Sequence, residues 1–453
     1  MPDSSAYYVH EALKHGVELS RYLGGDMPVM QAVLNTNGFQ QILKEYQPEI
    51  IHGPMVGDVS KHTAKIWVRT YNSQKLNIEV STDESFEKVA FSKTNKTDSN
   101  KENTFTFKIT NLDENTMYFY RITTPNESVK TGTFQTLGKQ VFSIAFGACS
   151  AHIPWREYMW STIHSHRPDA FFTLGDNVYI DYPETPQAQL YCYHQRQSNV
   201  HWQKFIANTP TYAIWDDHDF GDNDDYGGLE KYEPSWKYDN WKRFQNQWAN
   251  PSYGGGNEHP GVWFKKSMGD VEFFSLDGRY YREPSYIDKE KDHDLTMLGT
   301  EQKEWLKTEI LKSKAKFKVL ISSVPRAFNA KEGLEGKIDT WLGYPEERNE
   351  IFNFLTKNKV EGVFLLSGDR HRADLWEIER ENDYTLYEME VGRLTNTHRH
   401  PAMPGVSFSY NEKDAFGKLN FDFSKNDPSV TYEIWSIDNE KIFSHTVQLS
   451  ELK

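Results

Sequence analysis

Five short apolar runs between residues 144 and 372 each end abruptly in polar residues: "IAFGACS", "FFTLGDNVY", "YAIWDDHDFGDND", "FFSLDGRYYR" and "VFLLSGDRHR". Helical patterns such as "WREYMWSTIHSHRP", "GTEQKEWLKTEILKSK" and "EERNEIFNFLTKN" lie between several of these runs. Strands that alternate with helices predict a layered α/β domain. Since the sites of α/β folds lie beyond the carboxyl ends of their strands, the polar ends predict one shared functional site.

The residues at these strand ends belong to the types that bind metal ions. They are Cys149; Asp176, Asn177 and Tyr179; Asp216, Asp217, His218, Asp222 and Asn223; Asp277 and Arg279; and Asp369, Arg370, His371 and Arg372. Each piece alone is typical of an ordinary turn, but together several separate segments supply ligands at the same topological place. Carboxylates and amides suit Ca²⁺, Mg²⁺ or Mn²⁺, whereas cysteine, tyrosine and histidine beside an aspartate suit ferric iron or zinc. An aspartate shared by two ions would hold them roughly 3.5–4 Å apart, as in two-metal phosphoryl-transfer sites.

The first third of the chain has a different pattern. Residues 1–48 are predicted to form a helical extension, because "YVHEALKHGVELSRYL" repeats apolar residues at spacings of three and four. Residues 49–138 contain short alternating runs such as "KLNIEVSTD" and "MYFYRITT", which predict an antiparallel β-sandwich of the fibronectin or immunoglobulin type. Residues 139–453 are then predicted to be the α/β domain that carries the site.

Charge and hydropathy exclude several kinds of partner. The chain has 453 residues and a net charge of −14, so no nucleic-acid-binding surface is expected from its global field. No apolar run approaches the roughly 18 residues of a membrane span. The N-terminus does not read as a signal peptide, so we expect a cytoplasmic protein, or a periplasmic or secreted one whose signal was removed before this numbering begins. The two cysteines, Cys149 and Cys192, do not decide the compartment, and the sequence leaves the oligomeric state open.

The strand-end motifs also carry a family resemblance. "GACS", "GDNVY", "WDDHDFGDND", "LDGRYYR" and "SGDRH" resemble, in this order, the motifs of the alkaline phosphatase D (PhoD) family of metallophosphatases. The stretch "MLGTEQKEWL" and a β-sandwich that precedes the catalytic domain also resemble that family, and the resemblance covers roughly residues 50–445. It implies a metallophosphatase-like domain of two packed sheets flanked by helices. It also implies hydrolysis of a phosphate ester, as a phosphomonoesterase, a phosphodiesterase or both, by a hydroxide that metal ions activate.

The resemblance further implies a set of metal ligands. A ferric ion would be bound by Cys149, Asp176, Tyr179 and His371. One or more calcium ions would share Asp176 and also take Asp369 and Asn223. Asp217 is a second candidate for the position given to Asn223, because it occupies the place of an asparagine in the wider superfamily. Zn²⁺, Mn²⁺ and Mg²⁺ are the alternatives to iron and calcium.

Catalytic roles follow from the same resemblance. His218 stands where the superfamily has a histidine near the leaving group, so it would stabilise that group electrostatically or donate a proton to it. Asp217, the residue before His218 in the same motif, is also a catalytic candidate. Arg279 is a candidate for contact with the phosphate, since a guanidinium group can bind phosphate through two hydrogen bonds.

Two other interpretations stay open at this point. A purple acid phosphatase would also combine a β-sandwich with "GDxxY", but it would have an aspartate near the position of Cys149 and "GHxH" in place of "GDRH". A binding protein stabilised by calcium, without catalysis, is the other, and the aromatic-rich insertion at residues 226–261 motivates it. Against a purely structural ion, Asn177, His218 and Arg370 have no apparent structural reason to gather.

Overall fold

The computed structural model describes residues 2–23, 28–286, 294–331 and 333–453. The chain divides into two compact units. Unit 1 comprises Met1–Leu137, Tyr182–Thr211 and Lys242–Ala249, and unit 2 comprises Gly138–Asp181, Tyr212–Trp241 and Asn250–Lys453. Among the described residues, no helix combines the length and the apolar character that crossing a membrane requires.

Helices and strands are numbered here in chain order. The helices are α1 (Pro2–Lys14), α2 (Pro28–Leu34), α3 (Asn37–Tyr46), α4 (Met159–Ser165), α5 (Pro186–Gln197), α6 (Val200–Ile206), α7 (Asp217–Phe220), α8 (Lys237–Gln247), α9 (Gly299–Lys312), α10 (Gly333–Asp339) and α11 (Pro345–Lys357). The strands are β1 (Ile50–Gly57), β2 (Ala64–Thr70), β3 (Lys75–Ser81), β4 (Val89–Lys96), β5 (Thr104–Ile109), β6 (Met117–Thr123), β7 (Val129–Gln135), β8 (Val141–Gly147), β9 (Ala170–Thr173), β10 (Thr211–Ala213), β11 (Phe264–Met268), β12 (Val271–Ser275), β13 (Phe317–Ile321), β14 (Val363–Ser367), β15 (Ala373–Arg380), β16 (Asp383–Val391), β17 (Phe408–Tyr410), β18 (Ala415–Asp422), β19 (Ser429–Ser436) and β20 (Lys441–Gln448).

Unit 1 contains two antiparallel sheets, β1-β2-β5 and β4-β3-β6-β7. Strand β6 shows how its alternating sequence is used: Tyr118, Tyr120 and Ile122 are buried, and the residues between them are more exposed. Apolar side chains from both sheets, among them Ile66 of β2 and Ile78 of β3, belong to one hydrophobic core. The predicted short strands of this region are therefore present, and they bury one face of each sheet.

Unit 2 contains a six-stranded sheet, β10-β9-β8-β18-β19-β20, and a seven-stranded sheet, β11-β12-β13-β14-β16-β15-β17. β8 pairs in parallel with β9, and β12, β13, β14 and β16 also pair in parallel, in that order. β9, β13 and β14 are buried along their whole length, as expected for strands of a parallel sheet. The predicted strands that precede the "GACS", "GDNVY" and "SGDRH" motifs are β8, β9 and β14.

Backbone hydrogen bonds join the carboxyl ends of β8 and β16, which belong to different sheets. The N–H group of Ala148 donates to the carbonyl of Val391 (3.1 Å), and the N–H group of Leu394 donates to the carbonyl of Ala148 (2.9 Å). The end of β8 is also joined to the end of β9, because the N–H group of Cys149 donates to the carbonyl of Gly175 (3.3 Å). The segments that follow these strands are thereby held close together.

The two units do not follow the predicted order of domains along the chain. The first segment of unit 1 ends at Leu137, next to the predicted boundary at residue 138. However, residues 182–211 and 242–249, which were assigned by sequence to the α/β domain, cluster with unit 1. These two segments contain α5, α6 and the second half of α8.

Candidate metal centre

Among the residues that the structure describes, three groups of potential metal-ligand atoms lie in unit 2, and they share members. The groups are Cys149, Asp176 and His371; Asp176, Asp217 and His218; and Asp217, Asp224 and Asp339. Within each group, all the ligand atoms lie within 4.8 Å of one another. Because Asp176 and Asp217 each belong to two groups, the candidate ligands form one continuous cluster.

Four of the predicted ligands have a left-handed backbone. The φ angle is 59° at Cys149, 51° at Asp176, 69° at Asp369 and 47° at His371. Residues other than glycine rarely adopt this conformation, which costs about 1–3 kcal/mol each and is most often retained at binding and catalytic sites. Gly175, with φ of 112°, allows the turn before Asp176, since a Cβ atom there would lie 2.6 Å from a side-chain atom of the segment after β10.

The first group combines sulfur, nitrogen and oxygen donors. The Tyr179 hydroxyl donates to Oδ2 of Asp176 (2.9 Å), and Nδ1 of His371 lies 3.2 Å from the carbonyl oxygen of His398. A histidine that donates through Nδ1 presents Nε2 as its ligand atom. Burial, with a contribution from Asp176, raises the pKa values of Cys149 and Tyr179 well above their ordinary values. Metal binding by these two groups would therefore release protons.

Asp176 connects the first two groups. It is 1% exposed, and its Oδ1 atom is buried without a hydrogen-bond partner among the described residues. Burial, reinforced by Asp217, raises the pKa of Asp176 well above its ordinary value. A buried carboxylate oxygen without a partner costs about 1–3 kcal/mol, and a cation removes that cost. The residues present therefore fit a bound metal, and the mixed donors around Asp176 suit ferric iron or zinc.

Asp217 and Asp224 lie together in the third group. Asp217 is 3% exposed, and its Oδ2 atom accepts the N–H group of Asp224 (2.8 Å). Burial, with the nearby carboxylates of Asp339 and Asp217, raises the pKa of Asp224 to about 6. Asn223, the predicted calcium ligand, is exposed. The structure thus brings the next residue of the same loop, Asp224, into the cluster.

His218 lies beside the candidate metal ligands, and one nitrogen of its ring is fixed by a hydrogen bond. Its Nδ1 atom is hydrogen-bonded to Oδ1 of Asp181, and its ring lies 4.2 Å from the Tyr179 ring between centroids. Burial opposes a charge on the imidazole, but the Asp176 carboxylate, the bond to Asp181 and the Asp217 carboxylate together raise the pKa of His218 to about 11. Because Nδ1 is occupied, Nε2 is the atom through which His218 can act on another group.

Arg279 is enclosed by carboxylates. Its side chain is fully buried, its Nε atom donates to Oδ1 of Asp216 (2.5 Å), and its Nη2 atom donates to Oδ1 of Asp339 (2.7 Å). Arg370 donates to the other oxygen of Asp339 and to the carboxylate of Asp369. These two arginines outweigh the effect of burial and lower the pKa of Asp339. Asp339 therefore links both arginines to the metal ligands.

Several strand-end residues instead have structural roles. The Asn177 amide donates to the carbonyl of Ile214 (2.8 Å) and accepts from the Thr173 hydroxyl, so it ties β9 to the segment after β10. The argument that Asn177 has no structural reason to lie here is therefore wrong. Asp277 accepts hydrogen bonds from the Trp215 indole (2.7 Å) and from three backbone N–H groups. Arg372 donates to Asp374 (2.5 Å).

Three residues of this region escaped the sequence analysis. Asp181 had the appearance of an ordinary loop residue, although it follows the "GDNVY" motif closely enough to have been considered. Asp224 adjoins the predicted Asn223, so the "GDND" loop carried a signal, but only Asn223 of these two residues was considered as a ligand. Asp339 lies at the end of α10 in "GKIDTWLG", where no motif marks it.

Comparisons with known proteins show which family the chain is similar to. A family model described as PhoD-like phosphatase matches residues 144–404, and one described as PhoD-like phosphatase, N-terminal domain, matches residues 38–138. Alkaline phosphatase D of Bacillus subtilis (strain 168) is 25% identical over 349 residues, which are 65% of this chain and 58% of that relative. The chain thus spans less than two thirds of the curated relative. A solved structure titled "Structure of PhoD" has a similar fold, with a TM-score of 0.69 and 18% identity over 87% of this chain and 92% of the other.

Proposed function

The chain belongs to the PhoD-like phosphatase family, and on this premise we propose that it hydrolyses phosphate esters, as a phosphomonoesterase, a phosphodiesterase or both, at a site with more than one metal ion. The observation that supports this most is the position of Asp176. Its carboxylate belongs to two ligand groups, and one of its oxygens is buried without a protein partner among the described residues. A structural turn has no use for such an oxygen, whereas Asp176 would use it to hold a metal ion, whose charge would offset that of the carboxylate.

The proposed ligands keep the ions predicted from sequence, with one addition. Ferric iron would be held by Cys149, Asp176, Tyr179 and His371, and calcium by Asp176, Asp217 and Asp369, with either Asn223 or Asp224 from the adjoining loop. Zn²⁺, Mn²⁺ or Mg²⁺ are the alternatives. When bound, such ions supply Lewis acidity, which lowers the pKa of a water molecule and offsets negative charge on phosphoryl oxygens.

The side chains around the proposed ligands would have different roles in catalysis and in positioning. Asp181 orients His218, so that Nε2 can donate a hydrogen bond or a proton to the oxygen of the leaving group. Arg279, which bonds Asp216 and Asp339, positions carboxylates rather than contacting the phosphate itself. Arg370, unlike Arg279, donates a hydrogen bond directly to the candidate calcium ligand Asp369.

We also propose the finer fold that the sequence predicts. The single hydrophobic core shared by the two sheets of unit 1 supports an immunoglobulin- or fibronectin-like sandwich. The backbone hydrogen bonds between β8 and β16 support two packed sheets, flanked by helices, in unit 2. The boundaries at residues 48 and 138 are kept as the proposed limits of the helical extension and of the sandwich.

The test combines metal analysis with activity. Purified protein is analysed for iron and calcium and assayed on a chromogenic monoester and a chromogenic diester. Cys149→Ser should lose iron together with activity, whereas Cys192→Ser, the matched variant on α5, should keep both. Tyr179→Phe should remove the visible absorption of a tyrosinate–iron pair while part of the iron remains. If the protein binds metal but hydrolyses neither ester, the result supports the calcium-stabilised binding protein instead. If it neither binds metal nor hydrolyses an ester, the proposal is refuted.

A further inference from the structure

The candidate ligand groups reach solvent at two of their members. Among the described residues of these groups, His218 and Asp224 are partly exposed, and the other members are buried. No group contains both of them, and Asp217 is the member that joins the group of His218 to the group of Asp224. A phosphate ester that approaches the cluster from solvent therefore meets two different sides of it, one at His218 and one at Asp224.

Two tyrosine side chains lie beside the Asp224 side. Tyr226 follows Asp224 by two residues, and its ring lies 6.1 Å from the Tyr286 ring between centroids, with the ring planes at 76° to each other. The two side chains are also hydrogen-bonded to each other. Tyr286 is 44% exposed, so this edge-to-face pair, called here the tyrosine pair, still has aromatic surface open to solvent.

We propose that the tyrosine pair binds the second organic group of a phosphodiester and favours an uncharged planar group there. The inference rests on the proposed function, in which the oxygen of the leaving group lies at His218, and adds a substrate class to it. Because phosphorus in an ester is tetrahedral, the two organic groups of a diester point in different directions. Hydrolysis would add one water molecule, break the P–O bond to the leaving group and release the second group still attached to phosphorus, as a monoester.

Hydrogen bonds on both sides of Tyr226 fix its position relative to the cluster. The N–H group of Asp224 donates to Oδ2 of Asp217 (2.8 Å), which is itself a member of two ligand groups. On the other side, the N–H group of Gly227 donates to the carbonyl of Arg279 (2.9 Å). Tyr226 therefore lies in a short segment that is anchored at both ends, and one of these ends belongs to the cluster.

Tyr286 is fixed relative to the same ligand group. The hydroxyl of the preceding residue, Ser285, donates to the carbonyl of Lys337 in α10 (2.5 Å). Helix α10 ends two residues later at Asp339, which belongs to the ligand group of Asp224. Both tyrosines are thus held by segments that contribute, or directly contact, members of one ligand group.

The charges near the tyrosine pair favour an uncharged substituent. Burial and Tyr226 raise the pKa of Tyr286, and the carboxylates of Asp225 and Asp224 add to this effect, so the Tyr286 hydroxyl lies near both carboxylates. Asp224 belongs to a ligand group, where a cation would offset its charge, but Asp225 belongs to none of the groups among the described residues. A negatively charged substituent would be repelled by Asp225, whereas an uncharged ring can stack on a tyrosine without that repulsion.

The experiment compares three substrates that share 4-nitrophenolate as the leaving group: 4-nitrophenyl phosphate, methyl 4-nitrophenyl phosphate and phenyl 4-nitrophenyl phosphate. Tyr286→Ala should lower kcat/KM for the phenyl diester about fivefold, because a stacking contact is lost, and should change the other two values less than about twofold. Tyr226→Ala should act in the same direction, since Tyr226 holds the Tyr286 ring. Tyr286→Phe should keep most of the wild-type value for the phenyl diester, because the ring remains.

The control variant is Tyr7→Ala at an exposed tyrosine of α1, which should leave all three values unchanged. Equal losses for the three substrates in Tyr286→Ala would overturn the inference, because the tyrosine would then act on something that the substrates share. An unchanged value for the phenyl diester in both alanine variants of the tyrosine pair would also overturn it.

Two further outcomes separate this inference from the proposed function. If the wild-type protein hydrolyses the monoester but neither diester, the inference fails and the proposed function stands. If it hydrolyses none of the three esters, the proposed function fails, and ligand-observed NMR with diphenyl phosphate decides whether the tyrosine pair binds aryl groups. Binding that Tyr286→Ala weakens at least about threefold supports the pair as an aryl site, and no binding to the wild type refutes it.

Discussion

The metal centre of unit 2 and a buried polar network of unit 1 contain similar residue types but differ in how their polar atoms are used. The second region, called here the Arg69 network, consists of His52, Arg69, Glu102, Ser198 and Gln247. Both regions bury charged and polar side chains. In the network every such side chain is hydrogen-bonded, whereas in the metal centre Asp176 and Asp217 each keep a buried oxygen without a hydrogen-bond partner among the described residues.

The geometry of the Arg69 network is that of a closed structural unit. Arg69 is 1% exposed, and its Nη2 atom donates to Glu102 (2.8 Å) and to Gln247 (3.1 Å). Gln247 in turn donates to Glu102 (2.6 Å), and Nε2 of His52 lies 2.9 Å from the Ser198 hydroxyl. One arginine and one glutamate balance in charge, so the network needs no further ion.

The comparison teaches how to tell a ligand site from a structural cluster. The candidate metal centre has more carboxylates than cations, and it has buried oxygens without a hydrogen-bond partner among the described residues. Both features cost stability unless a cation is bound. Burial and polarity alone, which the two regions share, do not make the distinction.

The largest expected effect separates activity from stability at Asp176. Asp176→Asn should reduce phosphatase activity on the order of 10³-fold, because the shared anionic ligand is lost. The metal-free variant should unfold at the same temperature as metal-free wild type or higher, since a buried carboxylate becomes a neutral amide. Activity assays and thermal unfolding after chelation measure the two effects.

The matched control for Asp176 is Asp277, another strand-end aspartate with a complete set of hydrogen-bond donors. Asp277→Asn should lower the free energy of unfolding by about 1–3 kcal/mol, because an amide group faces donors. The metal content of the Asp277→Asn variant should equal that of the wild type. A variant pair in which Asp176→Asn is the more destabilised in the metal-free state would contradict the distinction between the two regions.

The next effect is expected at the centre of the Arg69 network. Arg69→Met should lower the free energy of unfolding by about 3 kcal/mol, because Glu102 and Gln247 lose a buried cationic partner. Activity at a temperature where the variant stays folded should be unchanged. Arg121→Met is the control in the same unit: Arg121 pairs with Glu79 (2.6 Å) near the surface, and its loss should cost less than about 1 kcal/mol. Urea unfolding measures both, and equal losses would show that the network is not specially stabilising.

The smallest effect is a pH dependence of stability next to this network. Burial, with the charge of Arg69, keeps the pKa values of His52 and His194 well below the ordinary histidine value. The unfolded chain therefore takes up protons near pH 6.5 that the folded chain does not, so stability falls as the pH drops below about 6.5. The slope is up to about 1.4 kcal/mol per pH unit for each histidine.

His194→Phe should remove one histidine's share of this slope. His259→Gln, at an exposed position, should leave the slope as it is in the wild type. Urea midpoints between pH 5 and pH 7 measure the difference. An identical slope in wild type and His194→Phe would show that His194 is not kept neutral by burial.

Much of this structure could be predicted from local sequence patterns, because some physical constraints act between residues that are close together in the sequence. The alternation in β6 predicts which side chains face the core, since successive side chains of a strand point to opposite faces. The polar ends of β8 and β9 predict that Cys149 and Asp176 meet, because these parallel strands end at a common edge, whereas His371 follows β14 of the other sheet and joins them through contacts between the sheets. The family resemblance agreed with both predictions and with the family match.

Contacts between segments that are distant in the sequence decided which further residues join the candidate site, and local sequence patterns could not predict them. Asp339 joins the cluster only through contacts with distant segments, since Arg279 and Arg370 donate to its carboxylate, and its surrounding sequence resembles any surface helix end. Likewise, only the path of the loop after α7 decides that Asp224, and not Asn223, turns inward.

The sequence by itself therefore determined the family, the order of the strands and helices that carry the candidate site, and the grouping of Cys149, Asp176 and His371 as candidate ligands. Only the tertiary structure decided which polar side chains find protein partners. Asn177, Asp277 and Arg279 form hydrogen bonds with other segments, whereas the Oδ1 atom of Asp176 has no hydrogen-bond partner among the described residues. The physical reason is that residue type sets what a side chain can bind, whereas satisfaction of a buried polar atom depends on neighbours brought from distant parts of the chain.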